Sequence, residues 1–234
     1  MTANQTHVPV MEKILSANDR VALDNRRQLD KQGVVAVNVM ASPGAGKTSL
    51  ILGTIRALAG RLRVGVIEGD LAGRVDADKV ATTGTPVVQI NTGGGCHLDA
   101  LQVQSALQQL PVGELDLLFI ENVGNLVCPA GFALGEHINL LIANVPEGHD
   151  KPIKYPGMFA VVDAIVLNKM DLLPYIDFDL AAFRTAVRAL NCNAPLFEVS
   201  CKTGHGMDAW VEWLVACRQR AGNYVPVASE ATGT

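Results

Sequence analysis

The stretch Ala41-Ser42-Pro43-Gly44-Ala45-Gly46-Lys47-Thr48 decides the fold of this chain. An apolar run over residues 34–40 precedes it, and a helical pattern over residues 49–56 follows it. A strand, a glycine-rich loop, Gly-Lys-Thr and a helix make up the P-loop arrangement. Small residues let backbone N–H groups approach phosphate oxygens, and the N-terminus of the following helix attracts negative charge. The stretch therefore predicts a nucleotide phosphate site.

The predicted contacts with the nucleotide are made by Pro43, Gly44, Ala45, Gly46, Lys47, Thr48 and Ser49. Lys47 is expected to reach the β- and γ-phosphates, and the Thr48 hydroxyl is expected to bind Mg²⁺. One position departs from the G-x-x-x-x-G-K-[ST] pattern, because Ala41 stands where the first glycine is expected. Alanine adds only a methyl group but is strained wherever φ must be positive. The sequence leaves this departure unexplained.

The bulk composition excludes several classes of protein. The 234 residues carry a formal net charge of −4, with 49% hydrophobic and 18% charged residues. This balance argues against a nucleic-acid binder, which would show a basic stripe. The N-terminus lacks the basic and apolar regions of a secretory signal, and no apolar run approaches the ~18 residues that span a bilayer. We therefore expect a cytoplasmic protein that binds neither nucleic acid nor membrane.

Apolar strands alternate with helical segments along the rest of the chain. Strands are expected near residues 63–67, 87–90, 115–121, 138–145, 164–167 and 195–199, and helices near residues 11–32 (one or two surface helices), 98–110, 178–190 and 207–221. Strands that are apolar throughout predict a parallel sheet that is buried on both faces. The predicted fold class is α/β, a three-layer P-loop NTPase fold with a mostly parallel sheet covered by helices on both faces.

Acidic residues follow two of these strands. Ligands of an open α/β sheet bind at the carboxyl ends of its strands. Glu121 ends a buried run and fits a Walker-B acid that holds Mg²⁺ directly or through water. Asp70 either holds Mg²⁺, orients the attacking water or caps a helix. The predicted magnesium ligands are therefore Thr48, Asp70 and Glu121, and the predicted catalytic residues are Lys47, Asp70 and Glu121.

The stretch Asn168-Lys169-Met170-Asp171 follows a buried strand about 120 residues after the P-loop. A carboxylate can accept two N–H bonds from the guanine edge but not from adenine, so such a site rejects the wrong base strongly. Asn168, Lys169 and Asp171 therefore predict guanine binding, and Ser200-Cys201-Lys202 is expected to line the other side of the base. This makes residues 33–222 a P-loop GTPase domain, with an N-terminal arm and surface helix over residues 1–32 and a C-terminal tail over residues 223–234.

A second chemical centre is predicted at Cys96 and His97, which follow three glycines. A thiolate and an imidazole suit Zn²⁺ or Ni²⁺. Cys128 lies seven residues after Glu121 on a neighbouring loop and supplies a third ligand. Since a tetrahedral or planar site needs four ligands, two subunits face to face could complete it.

Together these motifs resemble the HypB family of hydrogenase maturation GTPases, which belong to the dimerising SIMIBI class of P-loop proteins. The resemblance covers roughly residues 10–220 and rests on the P-loop together with Glu68-Gly69-Asp70, Gly95-Cys96-His97-Leu98-Asp99-Ala100, Glu121-Asn122-Val123-Gly124-Asn125-Leu126-Val127-Cys128-Pro129, the stretch from Glu147 to Pro156, and Asn168-Lys169-Met170-Asp171. The UreG family of urease accessory GTPases is less similar, because its metal motif is Cys-Pro-His and it lacks an equivalent of Cys128. The N-terminal Cys-rich or His-rich nickel motif of some HypB proteins has no counterpart in residues 1–30.

The resemblance implies hydrolysis of GTP to GDP and phosphate, GTP-dependent homodimerisation, and a nickel or zinc site shared across the dimer by Cys96, His97 and Cys128. It also implies two protein partners, a small zinc/nickel accessory protein and the hydrogenase large-subunit precursor. Lys151 and Lys154 are candidates to act across the dimer. The alternatives are a urease-type nickel accessory GTPase, a metal store with incidental GTPase activity, and a small-molecule kinase, which the guanine motif disfavours.

Overall fold

Seven parallel strands form the central sheet of the computed structural model, which describes residues 10–71 and 73–222. In chain order the strands are β1 (Val35–Ala41), β2 (Val64–Asp70), β3 (Val87–Asn91), β4 (Leu117–Glu121), β5 (Ile138–Asn144), β6 (Ala164–Asn168) and β7 (Leu196–Glu198). Their order across the sheet is β3-β2-β4-β1-β5-β6-β7. Because β1 is central, the glycine-rich loop that follows it emerges in the middle of the carboxyl edge of the sheet.

Helices cover both faces of this sheet. In the described part of the chain they are α1 (Val10–Gln32), α2 (Lys47–Ala57), α3 (Val75–Ala81), α4 (Ala100–Leu107), α5 (Lys151–Lys154), α6 (Pro156–Val161), α7 (Leu180–Leu190) and α8 (Met207–Gly222). One face packs against α2, α3 and α8. The other face packs against α1 and α4 on one side and against α6 and α7 on the other. The predicted three-layer α/β fold is confirmed, and the described strands pair only in parallel.

Burial on both faces explains the largely apolar sequence of β1, in which Asn38 is the one polar residue. All seven of its residues are buried. Val37 and Val39 face the layer of α2 and α8, whereas Ala36 and Met40 face the opposite layer. Alternate side chains of a strand point to opposite faces, and burying one valine or leucine stabilises the fold by roughly 1.5–3 kcal/mol. Apolar residues are therefore favoured on both faces of β1, and the buried Asn38 is tolerated because its amide is hydrogen-bonded.

The N-terminal helix differs from the prediction of one or two helices on the outside of the core. It is one helix, α1, and its Leu29 and Asn25 are fully buried. The Asn25 Nδ2 group donates to the carbonyl oxygens of Ala100 (2.8 Å) and Leu134 (2.9 Å). These bonds satisfy two backbone groups inside the fold, which the many charges of this helix do not reveal. Most of the predicted N-terminal arm, and the whole tail over residues 223–234, lie outside the described residues.

Three short helices were not predicted, namely α3, α5 and α6. They contain four to seven residues each, too few for an amphipathic period to appear in the sequence. Among the helices of residues 10–71 and 73–222, none combines the length and the hydropathy that a bilayer crossing requires.

His137 connects α1 to the amino end of the sheet through contacts of both ring nitrogens. Its Nδ1 atom accepts the Ala36 N–H at 3.0 Å, and its Nε2 atom lies 2.9 Å from Asp30 Oδ1 on α1. An imidazole whose Nδ1 accepts a backbone N–H is neutral, with its proton on Nε2. Burial lowers the pKa of His137, an effect that the hydrogen bond to Asp30 opposes and the nearby charge of Arg26 reinforces. The folded state therefore favours the neutral ring.

We expect the free energy of unfolding to fall as the pH drops below about 6.5, the pKa of an unperturbed histidine. In this window the unfolded chain binds more protons at His137 than the folded chain does, so acidification favours unfolding, and the loss stops below the folded pKa. Each unit by which folding lowers the pKa of His137 corresponds to about 1.4 kcal/mol in the free energy of unfolding that is lost on acidification. Urea unfolding of wild type and His137→Gln between pH 7.5 and 5 measures this loss.

The gap in stability between wild type and His137→Gln should narrow on acidification. The exposed His205 provides a control, because His205→Gln should keep the wild-type pH dependence. If the free energy of unfolding of His137→Gln depended on pH as that of wild type does, the His137 ring would not contribute to the loss of stability at low pH.

Candidate functional site

The glycine-rich loop joins β1 to α2 and needs glycine at two positions. Gly44 has φ of +75° and Gly46 has φ of +103°. A Cβ atom at Gly46 would also lie 2.4 Å from Asn168 Nδ2. The Asn168 Nδ2 group donates to the Ala45 carbonyl oxygen at 3.0 Å, and Lys169 Nζ donates to the Gly44 carbonyl oxygen at 2.7 Å. The end of β6 therefore supports the loop directly.

Ala41 is explained by its position in the sheet. It is the last residue of β1, is fully buried and pairs with Ile142 of β5. Among the described non-glycine residues, only Lys169 has a positive φ. Since the backbone at Ala41 is extended, alanine causes no strain there, and its methyl group packs in the core.

Glu121 lies at the centre of the candidate catalytic site. Its Oε1 atom accepts from the Thr48 hydroxyl at 3.0 Å and lies 3.9 Å from Lys47 Nζ. Glu68 and Asp76 lie beside it, and ligand oxygens of the three carboxylates are all within 4.8 Å of one another. Glu121 was predicted at this position from the sequence, whereas Glu68 and Asp76 were not.

Burial and mutual repulsion govern the protonation of the two buried acids. Burial raises the pKa of Glu68 to about 8, and the charge of Glu121 adds to this effect. Burial raises the pKa of Glu121 to about 7, although Lys47 and Thr48 act in the opposite direction. The Oε2 atoms of both residues are buried without a hydrogen-bond partner. Buried carboxylate oxygens without partners beside a threonine hydroxyl fit a hard divalent cation such as Mg²⁺.

Asp70 differs in position from the three converging carboxylates. Its Oδ1 atom accepts the Leu71 N–H at 2.7 Å, and its Oδ2 atom accepts the Gly73 N–H at 2.9 Å. The carboxylate therefore caps the turn that follows β2. Of the three predicted roles for Asp70, namely holding Mg²⁺, orienting water and capping a helix, this geometry is closest to capping. The capped segment is a turn, because α3 begins only at Val75.

The predicted base-binding residues surround one cavity of about 340 Å³. Its lining includes Gly46, Ser49, Asn168, Lys169, Asp171, Leu172, Cys201 and Lys202. The Ser200 hydroxyl donates to Asp171 Oδ1 at 2.6 Å, which orients the carboxylate. Asn168 Oδ1 accepts the Cys201 N–H at 3.3 Å and so connects the two loops. Burial raises the pKa of Cys201 to about 11, so this thiol stays protonated.

Cys96, His97 and Cys128 converge as predicted, with their ligand atoms all within 4.8 Å of one another. Cys96 Sγ lies 3.4 Å from His97 Nδ1, and the His97 ring packs on Phe132 with 3.9 Å between ring centroids. Burial lowers the pKa of His97, and the hydrogen bond with Cys96 raises the pKa of Cys128. A neutral imidazole and two cysteine sulfurs, once the thiols have lost their protons, are donors for a borderline-soft metal ion.

Asn122 connects the loop of these ligands to Glu121. It is fully buried and directly follows Glu121. Its Oδ1 atom accepts the N–H of Leu98, the residue after His97, at 3.0 Å. Its Nδ2 group donates to Asn38 Oδ1 at 3.1 Å, and Asn38 donates in turn to Asn139 Oδ1 at 3.0 Å. The sequence analysis did not assign this role, because nothing in a lone asparagine indicates which distant N–H it accepts.

Lys151 and Lys154 both lie on α5 and contact acids of their own chain. Lys154 Nζ is 2.5 Å from Asp150 Oδ2, and Lys151 Nζ is 4.0 Å from Glu147 Oε2 and 5.0 Å from the centre of the Tyr155 ring. Glu147 also accepts a hydrogen bond from the Ser42 hydroxyl. Glu147 therefore lies between the glycine-rich loop and α5.

The parallel sheet, the glycine-rich loop and the buried acid after β4 define a P-loop nucleotide-binding protein. Residues 35–198 match the family model of the CobW/HypB/UreG nucleotide-binding domain. The chain is 48% identical to the hydrogenase maturation factor HypB of Rhizobium leguminosarum bv. viciae, over 92% of this chain and 72% of that one. The chain belongs to the HypB family of hydrogenase maturation factors.

Solved structures agree with this assignment. HypB from Archaeoglobus fulgidus superposes with a TM-score of 0.82 at 37% identity, covering 87% of this chain and all of that one (100%). HypB from Helicobacter pylori in complex with nickel superposes with a TM-score of 0.83 at 34% identity, covering 87% and 96% of the two chains.

We expect Ala41→Gly to leave nucleotide affinity within about twofold of wild type, because Ala41 needs no positive φ. The variant should be less stable by about 0.5–1 kcal/mol, since glycine loses more conformational freedom in a strand. Titration with a fluorescent guanine nucleotide and chemical unfolding measure the two effects. Nucleotide binding that tightened several-fold would show instead that alanine strains the loop.

Proposed function

We propose that this chain is a GTP-hydrolysing metallochaperone that inserts nickel into the [NiFe]-hydrogenase large-subunit precursor in the cytoplasm. GTP-dependent dimerisation is coupled to the metal site of Cys96, His97 and Cys128. The observation that carries the proposal is the hydrogen bond between Asn122 and Leu98. It joins the end of β4, where the γ-phosphate of GTP would be sensed, to the loop that bears two metal ligands.

The nucleotide end of the site stabilises charge on the phosphates. Backbone N–H groups from Gly44 to Ser49 surround the phosphate oxygens, and Lys47 reaches the β- and γ-phosphates. Pro43 opens the loop and has no N–H of its own to donate. Mg²⁺, held by Thr48 and Glu121 with Asp70, supplies the remaining positive charge when bound. We assign to Asp70 the orientation of the attacking water, once its hydrogen bonds to the turn after β2 are released.

Selectivity for guanine follows from the carboxylate of Asp171. Ser200 occupies Oδ1 of this group, and the carboxylate faces the cavity between β6 and the loop of Cys201 and Lys202. Guanine offers two N–H donors to such a group, whereas adenine presents an acceptor at its ring nitrogen and leaves the carboxylate unpaired. Asn168 and Lys169 hold the base loop against the glycine-rich loop.

Nickel is the cargo of the second site, with zinc as the alternative ion. Cys96, His97 and Cys128 supply three donors, and the same residues of a second subunit complete the coordination across a dimer. The solved structure of HypB from Helicobacter pylori in complex with nickel supports this choice of metal. His97 is neutral at physiological pH because burial lowers its pKa, so no proton on this ring competes for the ion, whereas the thiols of Cys96 and Cys128 release their protons on binding.

Coupling arises because the two sites share structural elements. Cys128 follows Glu121 by seven residues, and Asn122 bonds to the residue after His97. A shift of Glu121 on loss of the γ-phosphate therefore moves ligands on both loops, as in other γ-phosphate switches. Lower metal affinity in the GDP state then releases nickel to the precursor, with a small zinc/nickel accessory protein as donor or helper.

Lys151 and Lys154 are proposed to supply positive charge to the site of the partner subunit. Both lie on α5, close to Glu147 and the glycine-rich loop. Lys154 is the more accessible, with 60% of its side chain exposed. If Lys154→Ala left both dimerisation and hydrolysis unchanged, this role would be excluded.

Lys47→Ala should lower GTP hydrolysis at least 100-fold, because the variant loses the cation nearest the phosphates. Transfer of nickel from the loaded protein to a colorimetric chelator should then no longer respond to GTP. The exposed Lys31 provides a control, since Lys31→Ala should behave as wild type. Unimpaired GTP-dependent transfer by Lys47→Ala would favour a metal store whose GTPase is incidental.

Asp171→Asn should weaken GTP binding at least 100-fold, because the amide cannot accept both guanine N–H bonds. The same variant should gain affinity for xanthosine triphosphate, whose base carries a carbonyl that an amide N–H can meet. Competition titrations with GTP, ATP and xanthosine triphosphate measure both effects. The matched control is Asp177→Asn, at an exposed acid of the same segment; equal GTP affinities of the two variants would argue against the base assignment.

Asn122→Ala should uncouple the two sites while each still binds its ligand. The nickel affinities with and without a non-hydrolysable GTP analogue should become equal, whereas in wild type they differ by at least about fivefold. Asn139→Ala is the matched control, because it removes the far end of the amide chain but keeps the bond to Leu98. Both variants lose buried hydrogen bonds, at about 1–3 kcal/mol for each group left unpaired. Coupling that persists in Asn122→Ala would contradict the proposed connection.

A further inference from the structure

Glu147 is largely buried between the glycine-rich loop and α5, and its two carboxylate oxygens face different partners. Its Oε1 atom accepts the hydrogen bond of the Ser42 hydroxyl, and Ser42 directly precedes Pro43 in the loop. Its Oε2 atom is buried without a hydrogen-bond partner and lies 4.0 Å from Lys151 Nζ. This carboxylate therefore contacts the loop with one oxygen and faces a lysine with the other.

The backbone around Glu147 is fixed by the end of β5. Asn144 is the last residue of this strand and pairs with Asn168 of β6, and the next residue, Val145, is fully buried. The Gly148 N–H donates to the Val145 carbonyl oxygen at 3.2 Å, and Gly148 has φ of +93°, which a side chain would disfavour. Glu147 therefore lies on a short turn that the sheet holds in place.

Lys151 is enclosed on two sides, whereas Lys154 is not. The Lys151 side chain is 17% exposed, and its Nζ atom lies over the Tyr155 ring as well as near Glu147. Lys154 is 60% exposed, and its partner Asp150 is itself 44% exposed. A lysine has a flexible four-carbon stem, and burying it in one position costs rotamer freedom. The contacts with Tyr155 and Glu147 therefore distinguish Lys151 as the ordered lysine of α5.

We infer that Glu147 is a positioning residue, which holds the Lys151 ammonium group beside the glycine-rich loop without binding the nucleotide itself. The Ser42 bond orients the carboxylate, so its second oxygen stays directed at Lys151. A cation that is ordered in advance stabilises the charge that develops during hydrolysis without first losing its own freedom. The inference rests on the proposed function only in assigning Lys151 to the phosphates of the partner subunit.

Chemical labelling of lysines in the full chain tests the positioning directly, because acetic anhydride must reach the amine from solvent. Mass spectrometry should show acetylation of Lys151 at least about threefold faster in Glu147→Gln than in wild type, since the released stem can leave the Tyr155 ring. Asp150→Asn is the matched control, because Asp150 Oδ2 lies 2.5 Å from Lys154 Nζ. It should speed labelling of Lys154 alone.

The largely buried Lys47 should stay protected in both variants, which verifies that they are folded. Equal labelling of Lys151 in wild type and Glu147→Gln would overturn the inference.

Steady-state GTP hydrolysis measures the consequence of this positioning. Glu147→Gln keeps an oxygen that accepts the Ser42 hydroxyl but removes the charge that faces Lys151. Its kcat should fall at least about tenfold with KM within about twofold of wild type, because the positioned cation acts in the transition state. Lys151→Met should lower kcat by the same factor and the double variant no further, since the two residues act as one unit. Glu114→Gln, at an exposed acid before β4, should hydrolyse GTP as wild type does.

These measurements separate the inference from the proposed function. A wild-type kcat in Glu147→Gln beside a low one in Lys151→Met would overturn the inference and leave the proposed role of Lys151 intact. Losses that multiply in the double variant would also overturn it, because Glu147 would then act independently of Lys151. If Lys151→Met hydrolysed GTP as wild type does, the proposed role of Lys151 would fail, whereas faster labelling in Glu147→Gln would still support its placement by Glu147.

Discussion

The arrangement of the nucleotide site and the candidate metal site depends on the hydrogen bonds of the buried Asn122 side chain. An amide has one acceptor and one donor end, and here both are used inside the core, toward Leu98 and toward Asn38. A buried polar group of this kind must keep its partners, because an unpaired one costs about 1–3 kcal/mol. A movement at the end of β4, where Glu121 lies, is therefore expected to move the loop of Cys96 and His97 as well. The proposed metal ligands and the acid proposed to sense the γ-phosphate are thus connected by a few covalent and hydrogen bonds.

The hydrogen bonds of Asn122 hold the site together, whereas repulsion between buried acids at the carboxyl edge of the sheet destabilises it. The parallel strands bring Glu68 and Glu121 side by side, and burial raises the pKa of each. Positive charge must come from Lys47, from a bound cation or from protons, and each of these changes when nucleotide binds or leaves. On the proposed function this makes the site sensitive to the γ-phosphate, because buried groups without access to water respond strongly to a small change of charge.

The fold was predictable because its signals are local and repeated. The glycine-rich loop, the apolar strands and the acid after β4 each depend on residues adjacent in sequence. Short helices such as α3 were not predicted, because one or two turns are too short to show a helical period in the sequence. Ala41 could be interpreted only once its pairing in β1 showed that φ is not positive there. In the candidate site, the motif residues around Lys47, Asp171 and Cys96 were found from the sequence. Glu68 and Asn122 were not, because their roles come from the register of neighbouring strands and from a bond to a distant N–H.

The central claim is that metal and nucleotide share one free energy of coupling, and reciprocal linkage tests it most directly. The measurement is the affinity of a non-hydrolysable GTP analogue for wild type and Cys96→Ala, with and without saturating nickel. We predict that nickel changes the affinity of wild type by the same factor by which the analogue changes nickel affinity, and that Cys96→Ala shows no change. Identical analogue affinities with and without nickel in wild type would contradict the account.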